Sequence, residues 1–348
     1  MRSGYFKQTY GDLIVLTDSP TVKVWVAVLI MAMVAAPLVL GSYMLSYMTV
    51  ILFTLTGVLG LTVLTGFTGL ISLGHVAFLM LGAYAYAITT TRLGFPPLPA
   101  LLMAGIVPAV FGLLVGLPSL RLQGLYLAIT TLAFSYIVNA AILAGGKFTG
   151  ASRGIRVKRP VILGVDLASD QAFYWFCLAL TTLVLLATLN LRRSYIGRAL
   201  VAVRDNDIAA RTMGINLWRY KLLAFLMSAF VTGIAGAMMG IYISYVNVEG
   251  FPFLLSIEAL AIVIVGGLGS VLGAVLGTVF IVMLPEVFAH LTSLMGGRLA
   301  DLMTTSAHEI KSVLYGLAII VFLRFDPRGL RGIWHDIRHL WVQWPLRY

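Results

Sequence analysis

Charged side chains are scarce in this sequence. Only 11% of its 348 residues are Asp, Glu, Lys or Arg, whereas 60% are hydrophobic. A soluble domain usually has about 25% charged residues, so the composition excludes an ordinary soluble enzyme. Because a spanning segment must satisfy its own backbone hydrogen bonds, we predict an all-α polytopic membrane protein.

Cysteine and acidic residues are also rare. The single cysteine, Cys177, lies in an apolar run, which excludes an intramolecular disulfide and a CxxC redox or zinc site. The 24 basic residues outnumber the 13 acidic ones and give a net charge of +11. No basic domain stands apart from the apolar segments. We therefore interpret the excess as basic loops at an anionic leaflet, and we expect the lipid bilayer, not nucleic acid, as a partner.

Catalytic and nucleotide-binding motifs are missing. Gly145-Gly146-Lys147 comes nearest to a phosphate loop, but Phe148 follows where Ser or Thr is needed, and no glycine lies five residues before Gly146. The sequence shows no paired acid and base of the kind that would indicate an enzyme. We expect this chain to bind no cofactor and no metal, so any energy that it uses would come from a partner or an ion gradient.

Apolar runs of about 20 residues, the length that crosses a bilayer, recur along the chain. They predict ten membrane spans, near residues 22–41, 47–65, 70–90, 98–117, 123–143, 172–191, 221–245, 253–268, 270–288 and 310–325. The run 253–288 is too long for one straight span. Its glycines at Gly266–Ser270 predict a break there.

The polar segment Arg192–Lys221 sets the orientation. It carries seven basic residues against Asp205 and Asp207, and short basic loops stay in the cytoplasm. Counting spans from it places both termini inside, with a cytoplasmic N-terminal segment 1–21, a transmembrane domain 22–325 and a cytoplasmic tail 326–348. The same count puts the loop 144–171 outside, although that loop is also basic.

This segment also predicts a short helix. Asp207 is a good N-cap, residues 208–213 can form a helix, and Gly214 suits a left-handed end. A short helix on the cytoplasmic face would be a docking surface for a partner.

Polar groups in three apolar segments are candidates for a translocation pathway. Gly66–Tyr84 is rich in glycine and predicts a broken helix that lines a pathway, since irregular backbone in a membrane must be buried or line a cavity. The candidates are Ser72, Gly74, His75, Thr130, Thr131 and Glu258. Each has an alternative: a structural histidine, hydroxyls bonded within their own helix, or a glutamate that reaches the membrane interface.

Small residues recur four positions apart, as at Gly112 and Gly116 or Gly236 and Gly240. This spacing lets helix backbones approach closely. It indicates either packing within the chain or a dimer face.

Several segments, in order, resemble the permease subunits of the high-affinity branched-chain amino-acid ABC importers, and the M-type subunit in particular. They are GLISLGHVAFLMLGAY (69–84), LQGLYLAITTLAFSYI (122–137), FTGASRGI (148–155), GRALVAVRDNDIAARTMGINLWRYKLLAFLMSAFVTGIAGAM (197–238), SIEALAIVIVGGLGSVLGAVLG (256–277) and GLAIIVFLRFDPRGL (316–330).

The resemblance implies one subunit of a larger importer in a bacterial-type inner membrane. It would assemble with a second homologous permease, two cytoplasmic ATPases that bind ATP and Mg²⁺, and an extracytoplasmic solute-binding protein. Importers of this kind dock a loop with Glu-Ala-Ala, three residues and Gly into the ATPase. Ala209, Ala210 and Gly214 fit that spacing, and Ile208 replaces the glutamate. The resemblance thereby assigns ATPase coupling to Arg204, Asp205, Asp207, Ala209, Ala210 and Gly214.

Two other classes stay open. An ion-coupled secondary transporter would carry protons on His75 or Glu258, but inverted repeats with paired broken helices are common in such carriers. The chain shows no clear second copy of the Gly66–Tyr84 pattern. A membrane enzyme lacks an acid and base pair. Within the family, the solute would be a branched-chain or related small amino acid, or an amide-like compound.

Overall fold

Long α-helices account for most of the computed structural model, which describes residues 20–119, 122, 124–162, 164–295, 307–326 and 328–343. They are α1 (Pro20–Val39), α2 (Ser42–Leu61), α3 (His75–Thr91), α4 (Pro97–Ser119), α5 (Leu125–Ala144), the single turn α6 (Gly146–Thr149), α7 (Asp170–Arg193), α8 (Tyr195–Asp205), α9 (Asp207–Thr212), α10 (Leu217–Ile243), α11 (Leu254–Gly266), α12 (Val271–Met295), α13 (Ala307–Phe325) and α14 (Gly329–Gln343). The chain is therefore all-α. Each predicted span overlaps one of these helices, and nearly all of the predicted segment 1–21 lies outside the described residues.

Short strands complete the fold. They form two antiparallel pairs: β1 (Ile155–Arg156) with β4 (Tyr245–Val246), and β2 (Val161–Ile162) with β3 (Val165–Asp166). The first pair joins the loop 144–171 to the end of α10. This loop therefore caps one end of the helical bundle.

Six helices within the described residues are long and apolar enough to cross a membrane. They are Ser42–Gly66, Pro97–Pro118, Leu125–Ala144, Asp170–Arg193, Leu217–Ile243 and Val271–Phe288. Shorter apolar helices at Ala27–Val39, Leu254–Gly266 and Ser312–Phe325 accompany them. The chain is a multi-pass membrane protein, while ten remains the predicted number of spans.

Helix α10 lies at the centre of the bundle and packs against α2, α3 and α4. Its glycines make this possible: a Cβ added to Gly236 would stand 1.9 Å from the carbonyl oxygen of Leu79, and one on Gly233 would stand 2.1 Å from that of Ala104. The small residues of α10 thus serve packing within the chain, the first of the two alternatives.

The break at Gly266–Ser270 lies where the sequence predicts it, between α11 and α12. The two helices pack closely against each other at this turn, since a Cβ on Gly273 would stand 2.4 Å from the carbonyl oxygen of Gly266. Helix α11 has 13 residues, about 20 Å at 1.5 Å per residue, so it is too short to cross a bilayer alone.

Three features differ from the sequence-based expectation. The span placed at 70–90 is helical only from His75, because residues 69–74 are irregular and Gly69 has a φ of +72°. The segment 192–221 is mostly helical: its ends continue α7 and α10, and α8 precedes the predicted short helix. The tail contains α14, which packs against α11 and α12; its apolar residues alternate with basic ones at helical spacing, a signal that counting charges alone missed.

Candidate functional site

The chain reverses direction at the end of α2 without a regular helix end. Residues Thr62–Gly66 form a π-helical turn, a feature that is frequent at functional sites. Residues 69–74 then run without helix up to the start of α3; Leu70, Ser72 and Gly74 are buried, whereas Gly69 and Ile71 are exposed. Irregular backbone at membrane depth is tolerated only where protein or a cavity surrounds it.

Side chains of other helices accept hydrogen bonds from this irregular segment and from the first turn of α3. The backbone N–H of Leu73 donates to Thr131 Oγ1 of α5 at 3.0 Å, and that of Val76 donates to Ser256 Oγ of α11 at 3.0 Å. Ser72 is buried, and its Oγ accepts from the N–H of Gly74 at 3.3 Å. Two residues predicted to line the pathway thus have structural contacts: Thr131 holds the segment to α5, and Ser72 bonds within the segment itself.

His75, the first residue of α3, borders a cavity of about 690 Å³. The cavity follows α2 from Ser46 to Val58, about 18 Å at 1.5 Å per residue, and Glu258 also lines it. Its other walls are mainly apolar. A space of this size suits a small solute.

The predicted pathway residues therefore separate into two groups. His75 and Glu258 line the cavity, whereas Ser72, Gly74, Thr130 and Thr131 do not. Gly74 packs against the backbone of Thr131, where a Cβ would stand 2.6 Å from the carbonyl oxygen. Thr130 donates to the carbonyl oxygen of Tyr126 at 2.8 Å. Its hydroxyl is therefore bonded within its own helix, which was the alternative to a pathway role.

Glu286 is a cavity residue that sequence reasoning did not select. It lies on α12, and its two carboxylate oxygens accept hydrogen bonds from the hydroxyls of Tyr43 and Tyr47. Glu258 on α11 bonds with Tyr315 of α13. An acidic residue inside an apolar run was the available signal, since such residues are usually functional. No group of three or more potential metal ligands occurs within the described residues.

The segment 195–214, hereafter the arm, projects from the end of the bundle opposite the loop 144–171. Ser194 begins α8 by accepting from the N–H of Gly197, at 3.2 Å. Asn206, not Asp207, caps α9: its backbone is extended and its Oδ1 accepts from the N–H of Ala209 at 3.0 Å. Asp207 is the first helical residue, where its charge suits the helix dipole.

The arm packs on the start of α10 through a small core made of Val203, Ala210 and Leu217. Ala210 is only 4% exposed, so its side chain cannot contact a partner in this conformation. Ile208 and Met213 are 74% and 83% exposed. Ala209 is exposed beside them, and Gly214, with φ of +83°, ends the helix in a conformation that favours glycine.

Arg204 connects the arm to the membrane segments. Its Nη1 donates to the carbonyl oxygen of Gly66 at 2.8 Å, and its guanidinium pairs with Asp205 at 2.9 Å. A Cβ on Gly269 would stand 2.3 Å from the same Nη1. Arg204 therefore lies between the π-helical turn and the break of α11 and α12.

The same break also contacts the start of α14. A Cβ on Gly329 would stand 2.6 Å from the backbone nitrogen of Gly267. We call this meeting point of Gly66, Arg204, Gly267, Gly269 and Gly329 the junction. It brings four separate parts of the chain together at the arm end of the bundle.

Comparison with known proteins identifies the family. The model of the family described as "Branched-chain amino acid transport system / permease component" matches residues 43–323. No solved structure matches the chain significantly.

Among curated proteins, the chain is 35% identical over 317 residues to the high-affinity branched-chain amino acid transport system permease protein LivM of Salmonella typhimurium, covering 82% of this chain and 74% of the relative. It is 34% identical to LivM of Escherichia coli with the same coverage. It is also 30% identical, over 54% of each chain, to the autoinducer 2 import system permease protein LsrC of an Enterobacter strain. The match of the family model over most of the sequence, on a multi-pass helical fold, shows that this chain belongs to the branched-chain amino acid transport permease family.

Proposed function

We propose that this chain is a transmembrane permease subunit of a binding-protein-dependent ABC importer, which moves branched-chain or related small amino acids inward. The nucleotide would be bound by partner subunits and not by this chain. Two partner ATPases hydrolyse ATP with Mg²⁺ and transmit the resulting motion to the arm.

The observation that carries the proposal is the tip of the arm. Ile208 and Met213 are exposed although other apolar residues of the arm are buried in a core shared with the start of α10. Exposed apolar residues grouped on a polar surface indicate a protein contact. A short, capped helix that presents them fits a cleft on another chain.

The junction supports a mechanical role for this contact. A displacement of the arm would move Arg204, and Arg204 bonds the turn that ends α2. From Gly66 the displacement would pass along α2 and through residues 69–74 to His75 at the cavity. ATP binding and hydrolysis would thereby favour different conformations of the permease, by binding the arm differently in each.

The two ends of the bundle suggest where the partners bind. The arm and α14 lie at one end, which we place in the cytoplasm with both termini, and the ATPases would bind there. The loop 144–171 caps the other end, where the extracytoplasmic solute-binding protein would deliver the solute. A second homologous permease would complete the pathway in a bacterial-type inner membrane.

The names of the relatives support the solute class. The two LivM proteins are named for branched-chain amino acid transport, and LsrC is named for autoinducer 2 import. The first two are similar over most of this chain and LsrC over about half, so we propose an amino acid as the solute.

An ion-coupled carrier is the second candidate, because His75, Glu258 and Glu286 line one cavity. The two candidates differ in their energy source. Uptake that follows a proton gradient and ignores ATP would favour the carrier.

The test replaces Ile208 by Asp in the full chain, expressed with its ATPase and permease partners. A charge at the tip should prevent the ATPase from docking, so co-purification and ATP-dependent leucine uptake should both fall at least about tenfold. Membrane insertion should be normal, because the spans are unchanged.

Val161→Asp is the matched control. It makes the same kind of change at an exposed residue of the loop 144–171 and should leave ATPase co-purification at the wild-type level. Normal ATPase association and uptake in Ile208→Asp would refute the role of the arm.

A further inference from the structure

The cavity has a distinctive lining. Its apolar wall includes Phe53, Leu255 and Leu314, and its polar groups include two carboxylates, Glu258 and Glu286. Neither lysine nor arginine is among the described residues that line it. A negative field inside low-dielectric walls attracts and concentrates cations.

Two hydrogen-bond donors surround Glu286. Both of its oxygens accept from tyrosine hydroxyls, those of Tyr43 and Tyr47. A carboxylate is an acceptor only, so it suits two hydroxyl donors better than a protonated acid, which adds a donor of its own. The tyrosines thereby stabilise a negative charge at the cavity.

His75 supplies a second, independent feature. It is 3% exposed and faces the cavity, and it makes no hydrogen bond to any described residue. A ring in this position is suited to bond whatever occupies the cavity, and a neutral imidazole has one N–H to donate.

We propose that the cavity is a solute-binding site that recognises a protonated amino group. The ammonium of a small amino acid would lie between Glu258 and Glu286, its carboxylate would accept from His75, and its side chain would contact the apolar wall. This inference rests on the proposed transport function and narrows it. Solutes with a free amino group would be carried, and organic anions and neutral amides would not.

The test measures the charge preference of the cavity directly. Thr54, which lines the cavity, is replaced by cysteine in the assembled full-length complex after Cys177→Ala. The reaction of this Thr54→Cys variant with a cationic and an anionic methanethiosulfonate is compared, with 2-mercaptoethanol as the reference for intrinsic reactivity. After this correction the cationic reagent should react about tenfold faster or more. Glu286→Gln and Glu258→Gln should each reduce that preference.

Protection against labelling identifies the ligand group. Leucine should slow the reaction of the thiol introduced by Thr54→Cys, whereas N-acetyl-leucine and 4-methyl-2-oxopentanoate, which lack the ammonium, should not. Equal protection by all three compounds, no charge preference, or a thiol that reacts with neither reagent would overturn the inference.

Two controls distinguish a loss of folding from a loss of solute binding. ATPase co-purification reports folding for each variant, and two separate glutamates are tested so that one unstable variant does not decide the outcome. Labelling does not use ATP, so the cavity inference and the importer function can fail independently.

Discussion

The guanidinium of Arg204 donates a hydrogen bond of 2.8 Å to the backbone carbonyl of Gly66, a residue 138 positions earlier. Gly66 closes the π-helical turn at the end of α2, and Arg204 lies in the last turn of the first helix of the arm. One side chain therefore joins the segment proposed to contact the ATPase with the helix that borders the cavity.

Replacing Arg204 by Gln should uncouple ATP hydrolysis from uptake. A hydrogen bond from a charged group contributes about 1.5–3 kcal/mol, so we expect the solute transported per ATP hydrolysed to fall about tenfold or more. The tip of the arm is unchanged, so ATPase co-purification should stay normal. Both quantities are measured in proteoliposomes that contain the complete transporter.

Arg198→Gln is the matched control for this experiment. Arg198 belongs to the same helix of the arm, but its guanidinium donates to the carbonyl oxygen of Arg193, at the end of α7 just before the arm. It should transport with normal coupling. Equal loss of coupling in both variants would show that arm charge, not the junction, is responsible.

The cap of α9 gives a second prediction. Asn206→Ala removes the side chain that accepts from Ala209, which costs about 1 kcal/mol of helix stability. ATPase affinity for the purified permease should weaken about fivefold, because each 1.4 kcal/mol is a tenfold change. Asp207→Ala should have a smaller effect, about 0.5 kcal/mol through the helix dipole. The reverse order in measured affinities would contradict the assigned cap.

Local patterns in the sequence predicted much of the fold. Spans and breaks depend on hydrophobic length and on glycine, so the division at Gly266–Ser270 and the irregular segment before His75 could be predicted. The choice between Asn206 and Asp207 could not, because both residues cap helices well and only backbone geometry distinguishes them.

Local sequence patterns could not predict contacts between segments that are distant in the sequence. Glu286 meets Tyr43 and Tyr47 across more than 230 residues, and nothing local to any of them indicates the others. Ala210 was expected at a partner surface, yet the turn back into α10 buries it against Val203 and Leu217. The prediction that the other arm residues contact an ATPase stays a prediction.

Close packing of α10 gives a third prediction. Gly236→Ala places a Cβ 1.9 Å from the Leu79 carbonyl oxygen, so two helices must separate and the chain should lose about 3 kcal/mol of stability. Gly316→Ala, where a Cβ meets nothing within 4 Å, should be neutral or stabilise by up to about 1 kcal/mol. Thermal unfolding of the detergent-solubilised chain measures both. Equal melting temperatures would contradict the described α3–α10 contact.

The orientation in the membrane gives the last prediction. Helix α7 has 24 residues, about 36 Å at 1.5 Å per residue, enough to separate the loop 144–171 from the arm by a whole bilayer. Two variants, Val161→Cys and Tyr195→Cys, each place a single thiol at an exposed position after removal of the buried Cys177. In intact cells an impermeant thiol reagent should label the Val161→Cys variant and leave the Tyr195→Cys variant unmodified until the cells are permeabilised. Labelling of the Tyr195→Cys variant in intact cells would place the arm outside, where no ATPase could reach it, and the importer proposal would then fail.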